Sequence, residues 1–343
     1  MKRVHLYFLK PPQQDRYLRG DRYVRSLARK LFRRKITSGV EKVFTNLCLG
    51  FDELHINYSI NLPFKEIGPD EPVVILGIGK QALQGYDKPN PIIAGIALIS
   101  HPTQWPDMCT AYPVAKYLQH TEWAKNIYLP YYGTHVCELW PAGIDTRKWA
   151  PPKNRQHRYD ILIYNKIRWD YPQIDEALRT PIVRQLNELG LCFTEITYGT
   201  YREADYYKLL RQSRAMIFLC EHESQGFACC EALSMNVPVF AWDQKHCLDP
   251  ERFTWGTPDI PSSSVPFFDP DCGMTFLDFR EFKTNIGEFW NKVTGGSFSP
   301  RNYVLKNITL KQSAERMLSI INEVYTPAAS HKKKRHFANN QPL

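Results

Sequence analysis

Residues 214–244, RAMIFLCEHESQGFACCEALSMNVPVFAWDQ, decide the fold of this chain. An apolar run up to Cys220 leads into a polar loop, and a short helical pattern and a second apolar run from Pro238 follow. A buried strand, a glycine-containing loop, a helix and another buried strand are typical of a parallel sheet covered by helices. The segment therefore predicts an α/β fold with a ligand crevice at the carboxyl ends of its strands.

The alternation of short apolar runs and helical patterns extends through most of the chain. Several runs are continuous, as expected of strands that are buried on both faces. Strands that alternate with helices imply parallel sheets. The predicted strands are Val4–Phe8, Glu53–Ile60, Val73–Ile78, Ile92–Ser100, Tyr159–Tyr164, Phe193–Tyr198, Arg214–Cys220 and Val237–Trp242, and the predicted helices include Val40–Phe51, Thr121–Tyr131, Ile174–Leu189, Glu203–Ser213 and Phe227–Met235.

A break in composition divides the chain into two halves. Residues 150–158, APPKNRQHR, are proline-bearing, polar and basic, and a new apolar run follows them. We interpret this stretch as a linker between two segments, each long enough for one doubly wound domain. The prediction is an N-terminal domain over 1–150, a C-terminal domain over 151–326 that ends in an amphipathic helix, and a basic tail over 327–343 that we expect to be disordered.

Composition and charge limit the class of protein. The 343 residues are 43% hydrophobic and 23% charged, which excludes a disordered chain. No apolar run approaches the ~18–20 residues of a membrane-spanning helix. The apolar stretch in the opening MKRVHLYFLK is too short for a signal peptide, so we expect a cytoplasmic protein. The net charge of +9 is concentrated, because residues 16–35 hold nine Arg or Lys residues against one Asp.

Two acidic residues in the deciding segment indicate hydroxyl recognition. Glu223 lies in the predicted loop and Glu231 lies about one turn inside the predicted helix, so both side chains can face the crevice. A carboxylate in such a place accepts hydrogen bonds from neighbouring hydroxyls of a ribose or a hexose. The backbone N–H groups of Gly226, Phe227 and Ala228 are free at the helix start and favour a phosphate.

The stretch ESQGFACCEALSMNVPVFAW resembles the donor-site motif of retaining nucleotide-sugar glycosyltransferases with the GT-B fold, especially family 4, also called glycosyl transferases group 1. The resemblance implies two Rossmann-like doubly wound domains that face each other across a cleft. It also implies that Glu231 binds the donor ribose and that Glu223 contacts the donor sugar. Departure and attack on one face, without a covalent enzyme intermediate, are a further implication.

A second segment in the C-terminal half is similar to the same family with a departure. YDILIYNKIRWD lies where the family has a strand that ends in Gly-Arg, followed about five residues later by a Lys; Asn165 and Lys166 take the first two places, and Tyr171 takes the third. In an extended segment Lys166 and Arg168 point to the same side. We therefore predict that they clamp the diphosphate, Arg168 through two hydrogen bonds and Lys166 as a point charge.

The first half resembles the family in outline. In ITSGVEKVFTNLCLGFDELHINYSI the resemblance implies that the backbone at Gly39 approaches the leaving diphosphate, although an ordinary helix start explains this glycine as well. His101 in ALISHP follows a predicted strand, as does a sugar-contacting histidine of several family members; a structural loop histidine is the alternative. HTEWAKNIYLPYYG, with Glu122 and Trp123, resembles a segment near the acceptor cleft of some relatives.

The function that the resemblance implies is transfer of a sugar from a nucleotide diphosphate donor to a hydroxyl acceptor with retention. Glycan, lipid, protein and small-molecule acceptors all remain open. The leaving-group charge would be met by Lys166, Arg168 and the helix start at 226–228. We expect no metal requirement and no cofactor besides the donor substrate.

Two other classes of function have some support in the sequence. Gly77, Gly79 and Ala82 follow a predicted strand and form a fragment of the fingerprint of NAD(P)-binding oxidoreductases, but the strand is the third and residues 93–102 hold no acid for the ribose. Residues 16–35 place an apolar stripe opposite a basic side, which suits anionic lipid or nucleic acid. No nucleic-acid motif accompanies this segment, so we expect peripheral membrane contact or a solvated insertion.

Overall fold

Two parallel β-sheets form the framework of the protein, which a computed structural model describes at residues 2–9, 38–154 and 156–326. The predicted basic segment and the predicted tail lie outside these residues. Within them, the first sheet has the order β2-β1-β3-β4-β5-β6 and the second has the order β11-β10-β9-β7-β8. The strands are β1 Val4–Leu9, β2 Tyr58–Ile60, β3 Val73–Ile78, β4 Ile92–Ala97, β5 Val114–Gln119, β6 Cys137–Leu139, β7 Tyr159–Lys166, β8 Phe193–Thr197, β9 Ser213–Cys220, β10 Val239–Trp242 and β11 Gly273–Phe276.

Helices cover both faces of each sheet. A π-helical turn at Asp175–Arg179 joins two of them, and single 3₁₀ turns occur at Phe64–Glu66, Lys80–Ala82, Pro102–Gln104 and Pro250–Phe253. None of the helices in the described part of the chain is long and apolar enough to cross a membrane. The helices are α1 Gly39–Glu53, α2 Met108–Ala111, α3 Glu122–Tyr132, α4 Tyr171–Ile174, α5 Thr180–Glu188, α6 Glu203–Gln212, α7 Phe227–Ser234, α8 Phe279–Thr294, α9 Pro300–Asn307 and α10 Leu310–Tyr325.

The strands are buried because their apolar residues face helices on both sides. In β3, five of the six residues are buried, and in β9 the run from Ala215 to Cys220 is buried throughout. Every pair of neighbouring strands in the two sheets is parallel. Parallel strands need crossover connections, and the helices between them supply these connections.

The last helix of the described residues, α10, packs against the first sheet. Ala314, Met317 and Ile321 of α10 lie in one apolar cluster with Val4 of β1 and Phe51 of α1. The predicted C-terminal domain over 151–326 therefore differs from the structure in this helix. The physical reason is that the apolar stripe of α10 covers a face of the first sheet that α1 alone leaves open, whereas the sequence places this stripe next to the second half.

The start of α10 approaches α1 very closely. A Cβ atom at Gly50 would lie 2.6 Å from the carbonyl oxygen of Leu310 and 2.9 Å from the Cβ atom of Ala314. Thr309 caps the helix, because its side chain accepts a hydrogen bond from the Gln312 amide while the Gln312 side chain accepts one from the Thr309 amide. The absence of a side chain at Gly50 therefore allows the two helices to meet.

Candidate functional site

Each sheet has the same kind of topological switch point, a place where the strand order reverses. In each, the second strand in sequence lies at one edge, the first lies beside it and the third follows on the other side of the first. Open α/β sheets of this order bind ligands at the carboxyl ends of the strands, where the order reverses. In the second sheet this place lies between β7 and β9.

A cavity of about 450 Å³ opens at this place and is lined by both halves of the chain. The first half contributes the start of α1 and the ends of β4 and β5, and the second half contributes the end of β7, the loop after β8, the starts of α6 and α7 and the loop after β9. Volumes of this size are typical of small-molecule sites. The cavity is therefore our candidate functional site.

The first ion pair in the cavity joins Lys166 and Glu223. Lys166 is the last residue of β7, and Glu223 lies in the loop after β9, so the neighbouring strands bring them together. The Lys166 ammonium donates a hydrogen bond to Oε1 of Glu223 and lies 4.6 Å from the ring centroid of Tyr198. Burial lowers the pKa of Lys166, but the Glu223 carboxylate outweighs burial and holds this pKa above its usual value.

The second ion pair joins the two halves of the chain. Glu231 lies one turn inside α7 and is 3% exposed. The ammonium of Lys42, from α1, lies 2.5 Å from Oε1 of Glu231 and 2.8 Å from Oε2 of Glu203. Burial raises the pKa of the Glu231 carboxyl to about 7, against the opposite effect of the Lys42 ammonium. The charge of this buried acid therefore depends on the cation that faces it.

The start of α7, which lies between the two acids in the sequence, forms part of the cavity wall. Gly226 precedes the helix with a φ of +67°, a left-handed conformation that favours glycine, and Gly226, Phe227 and Ala228 all line the cavity. The first N–H groups of an α-helix have no partner within the helix, and the positive end of the helix dipole lies beside them. This wall can therefore accept an anion.

The first half of the chain holds the loop before α7 in place. The side chain of Gln225 accepts a hydrogen bond of 2.8 Å from the backbone N–H of Ala142 and donates one of 3.1 Å to the Ala142 carbonyl. Gln225 is 4% exposed, so these bonds are shielded from water. They fix the loop that carries Glu223 against the segment that enters the second half.

Two cavity residues at the end of β5 were missed from the sequence. Nδ1 of His120 lies 2.9 Å from the Trp140 carbonyl, so Nδ1 carries the proton and Nε2 is an acceptor in the neutral ring. Burial lowers the pKa of His120 to about 4, which keeps the ring neutral at pH 7. The neighbouring Gln119 amide is buried, and its Nε2 has no hydrogen-bond partner in the described chain. Their position at the end of a strand could have singled them out from the sequence, but β5 itself was not predicted.

Most of the predicted site residues meet in this cavity, but two do not line it. Arg168 lies two residues beyond the end of β7, so the extended backbone on which its predicted alignment with Lys166 depended stops before it. Its guanidinium lies 4.6 Å from the ring centroid of Trp169, and its backbone N–H donates a 2.5 Å hydrogen bond to Glu221. The predicted residues that the cavity brings together are Gly39, Lys166, Glu223, Gly226, Phe227, Ala228 and Glu231.

His101 is the second predicted residue that does not line the cavity. Its ring stacks on Trp255 of the second half, with 4.7 Å between the ring centroids and 10° between the planes. Its Nδ1 lies 2.7 Å from Oγ1 of Thr103, and the side chain caps the turn Pro102–Gln104. His101 is 2% exposed, so it is packed between the two halves.

The dinucleotide fingerprint fragment lacks the helix that such a site needs. After β3, Gly79 takes a φ of +83° and the chain enters the single 3₁₀ turn Lys80–Ala82. A dinucleotide site places its pyrophosphate at the start of a full helix. Gly77, Gly79 and Ala82 are also absent from the residues that line the described cavity. This geometry does not favour the oxidoreductase interpretation.

Comparison with known proteins shows the fold. No family model and no curated protein matches the sequence. The lipopolysaccharide outer core galactosyltransferase WaaB in its apo form superposes with a TM-score of 0.51 at 11% identity over 93% of this chain and 100% of that chain. A glycosyltransferase from Rickettsia africae ESF-5 gives a TM-score of 0.51 at 10% identity over 95% and 100% of the two chains.

A third structure, a TarM variant from S. aureus in complex with Fondaparinux, alpha-GlcNAc-glycerol and UDP, gives a TM-score of 0.51 at 12% identity over 82% of this chain and 59% of that chain. The chain has the GT-B fold. The predicted fold class, two Rossmann-like domains that face each other across a cleft, is thereby confirmed. Identities of 10–12% establish this architecture and leave the chemistry of the cleft to be argued from its own residues.

Proposed function

We propose that this GT-B chain is a glycosyltransferase that moves a sugar from a nucleotide diphosphate sugar to a hydroxyl acceptor with retention of configuration. The observation that carries the proposal is the meeting of Glu223, Glu231 and the start of α7 in one cavity between the two halves. Two carboxylates on either side of an anion-binding helix start match the order of groups in the donor, which has hydroxyls at both ends and phosphates between them.

Each residue has one task in this proposal. Glu231 accepts hydrogen bonds from the ribose hydroxyls, and Glu223 accepts them from the donor sugar. The helix start at 226–228 and the Lys166 ammonium stabilise the negative charge that develops on the diphosphate as the sugar departs. The polar groups of Gln119 and His120 face the same cavity from the first half, where we place the acceptor.

Retention follows in the proposal from departure and attack on the same face of the sugar. Glu223 is paired with Lys166, and we assign it to hydroxyl binding rather than to a covalent step. The leaving diphosphate then stays beside the helix start and accepts the proton of the incoming hydroxyl. The donor base, the sugar and the acceptor are questions for experiment.

The first test is a thermal-shift panel of UDP, GDP, ADP and dTDP with their sugars, followed by donor hydrolysis with the best ligand. Glu231→Ala should abolish measurable donor binding, whereas Glu223→Gln should lower turnover more than affinity, because the sugar assigned to Glu223 changes charge during the reaction and the ribose assigned to Glu231 does not. Glu138→Gln is the control, since Glu138 is half-buried and pairs with Arg316 outside the cavity. Unchanged activity in folded Glu231→Ala protein would contradict the proposal.

The stereochemical part needs its own measurement. With an α-linked donor, NMR spectroscopy of the early product should show an α-linkage. A β-linked product would contradict retention while leaving sugar transfer intact.

A further inference from the structure

The charges in the cavity are arranged as pairs. Among the described residues that line it, five have side chains with an ammonium or carboxyl group: Lys42, Lys166, Glu203, Glu223 and Glu231. Each lysine is bound to one of the two glutamates that the proposed function assigns to donor hydroxyls. The two lysines suit the diphosphate in the middle of a nucleotide sugar, and the two glutamates suit the ribose and the sugar at its ends. In the structure, each lysine is therefore bound to a glutamate instead of a phosphate.

Lys42 is the one member of this set that comes from the first half of the described chain. Its ammonium lies 2.5 Å from Glu231 and 2.8 Å from Glu203, and it lies 5.5 Å from the ring centroid of Phe227. Phe227 is the first residue of α7. The ammonium is thus held beside the helix start but is bound to an acid one turn further along.

We propose that Lys42 binds the diphosphate of the donor and that it does so by leaving Glu231 when the ribose hydroxyls arrive. This inference rests on the proposed function of the cavity. In the exchange, the ribose hydroxyls replace the ammonium on Glu231, and the diphosphate replaces the carboxylates around Lys42. Neither charge is left without a partner, which matters because an unpaired buried charge is strongly destabilising.

The required movement is short. One turn of an α-helix rises about 5 Å, which is the distance scale between Glu231 and the helix start. A lysine ammonium is a point charge on a flexible stem of four carbons, so it can follow the phosphates without a fixed geometry. The same exchange at Lys166 and Glu223 would release a second cation within the second half. Lys42 differs because it makes the first half a ligand of the diphosphate, so that the donor joins the two halves.

The test compares a nucleoside diphosphate with its parent nucleoside by calorimetry, using whichever of UDP, GDP, ADP and dTDP stabilises the wild-type chain best. Lys42→Met should lower diphosphate affinity at least tenfold and change nucleoside affinity less than threefold. Lys148→Met is the matched control, because Lys148 also pairs with Glu203 but does not line the cavity. It should leave both affinities within threefold of wild type.

The outcomes separate this inference from the proposed function. If Lys42→Met lowers both affinities by the same factor, Lys42 acts only by holding Glu231 and the inference is wrong; unchanged diphosphate affinity overturns it as well. A wild-type chain that binds none of the four nucleotides overturns the proposed function itself. If Lys42→Met does not fold, the charge-balanced double variant Lys42→Gln with Glu203→Gln provides the same comparison, and the same two results would overturn the inference.

Discussion

The indole N–H of Trp123 donates a hydrogen bond of 3.1 Å to the main-chain carbonyl of Glu223. Trp123 lies in α3 of the first half, and Glu223 lies in the loop after β9 of the second half, so the bond crosses the cleft. The side chain of Glu223 pairs with Lys166 in the cavity. A contact between the two halves therefore holds the backbone of a residue that we assign to the donor sugar.

Replacing Trp123 by phenylalanine should lower kcat/KM two- to tenfold. The change removes one hydrogen bond, which contributes about 0.5–1.5 kcal/mol, and it frees the loop that positions Glu223. Trp242→Phe is the control, because the Trp242 indole donates a 3.0 Å bond to the Leu277 carbonyl within the second half. Initial rates of donor hydrolysis measure the difference. Equal loss of rate in both variants would show that the Trp123 bond has no special role in the cleft.

Lys166 and Arg168 should differ strongly when each is replaced by methionine. Lys166 lines the cavity and Arg168 does not. Loss of one preorganised charge costs about 2–4 kcal/mol of transition-state stabilisation, so Lys166→Met should lower kcat/KM roughly 30- to 1,000-fold. Arg168→Met should change it less than about threefold. A large fall in kcat/KM for Arg168→Met alone would show that Arg168, and not Lys166, supplies the positive charge at the end of β7.

The buried ring of His120 should make the protein sensitive to acid. Its folded pKa of about 4 lies below the usual value near 6.5, so the unfolded chain binds the proton first and stability falls as pH drops through this range. The contribution between pH 6.5 and 5 is about 2 kcal/mol. Urea unfolding of His120→Gln should show a shallower fall, whereas variant His135→Gln, at an exposed position, should follow wild type. Parallel curves for wild type and His120→Gln would contradict this assignment.

Gly50→Ala should destabilise the protein by about 1–3 kcal/mol, because the added methyl group has no space between α1 and α10. The matched control is Gly287→Ala in α8, where a Cβ atom would meet nothing within 4 Å. That change should be neutral or stabilise the protein by up to about 1 kcal/mol, since alanine favours a helix interior over glycine. Chemical unfolding measures both. An unchanged midpoint for Gly50→Ala would show that α10 can move away at no cost.

The basic segment 16–35 should bind anionic vesicles, and reversal of four of its charges should release the protein. Each Lys or Arg near an anionic surface contributes about 1 kcal/mol, and salt weakens the attraction. Hydrolysis of a soluble donor should hardly change. Wild-type protein that fails to cosediment even at low salt would contradict the prediction. In the variant, glutamate replaces Arg25, Arg29, Arg33 and Arg34. In its control, glutamate replaces Lys332, Lys333, Lys334 and Arg335.

The strands that could be predicted from the sequence are those with uninterrupted apolar runs. The prediction of Val73–Ile78 agrees with β3 at both ends. The strand β5 was missed because Lys116 interrupts its apolar run. In the structure this lysine is 8% exposed and pairs with Glu323 of α10 at 2.5 Å. A partner more than two hundred residues away makes a charge acceptable inside a sheet, and no local pattern reveals it.

The absence of a local signal also explains which charged residues of the cavity could be predicted. Lys166, Glu223 and Glu231 could be singled out because each lies at or just beyond the end of an apolar strand or at the start of a helix. Lys42 lies on a helix whose only local signals are its Ser38 cap and its apolar stripe. Its place opposite Glu231 depends on how the two halves meet, which only the three-dimensional structure provides.

The packing of α10 on the first sheet has a consequence for biosynthesis. The ribosome completes all six strands of this sheet long before it produces Leu310–Tyr325. Until then the face that Met317 and Ile321 cover is open to water, so we expect the nascent first half to stay incompletely packed. The second half, which is continuous between β7 and α9, can close by itself. The order of folding during translation is thus expected to run against the order of the sequence, because the packing of the first sheet is completed only when Leu310–Tyr325 have been made.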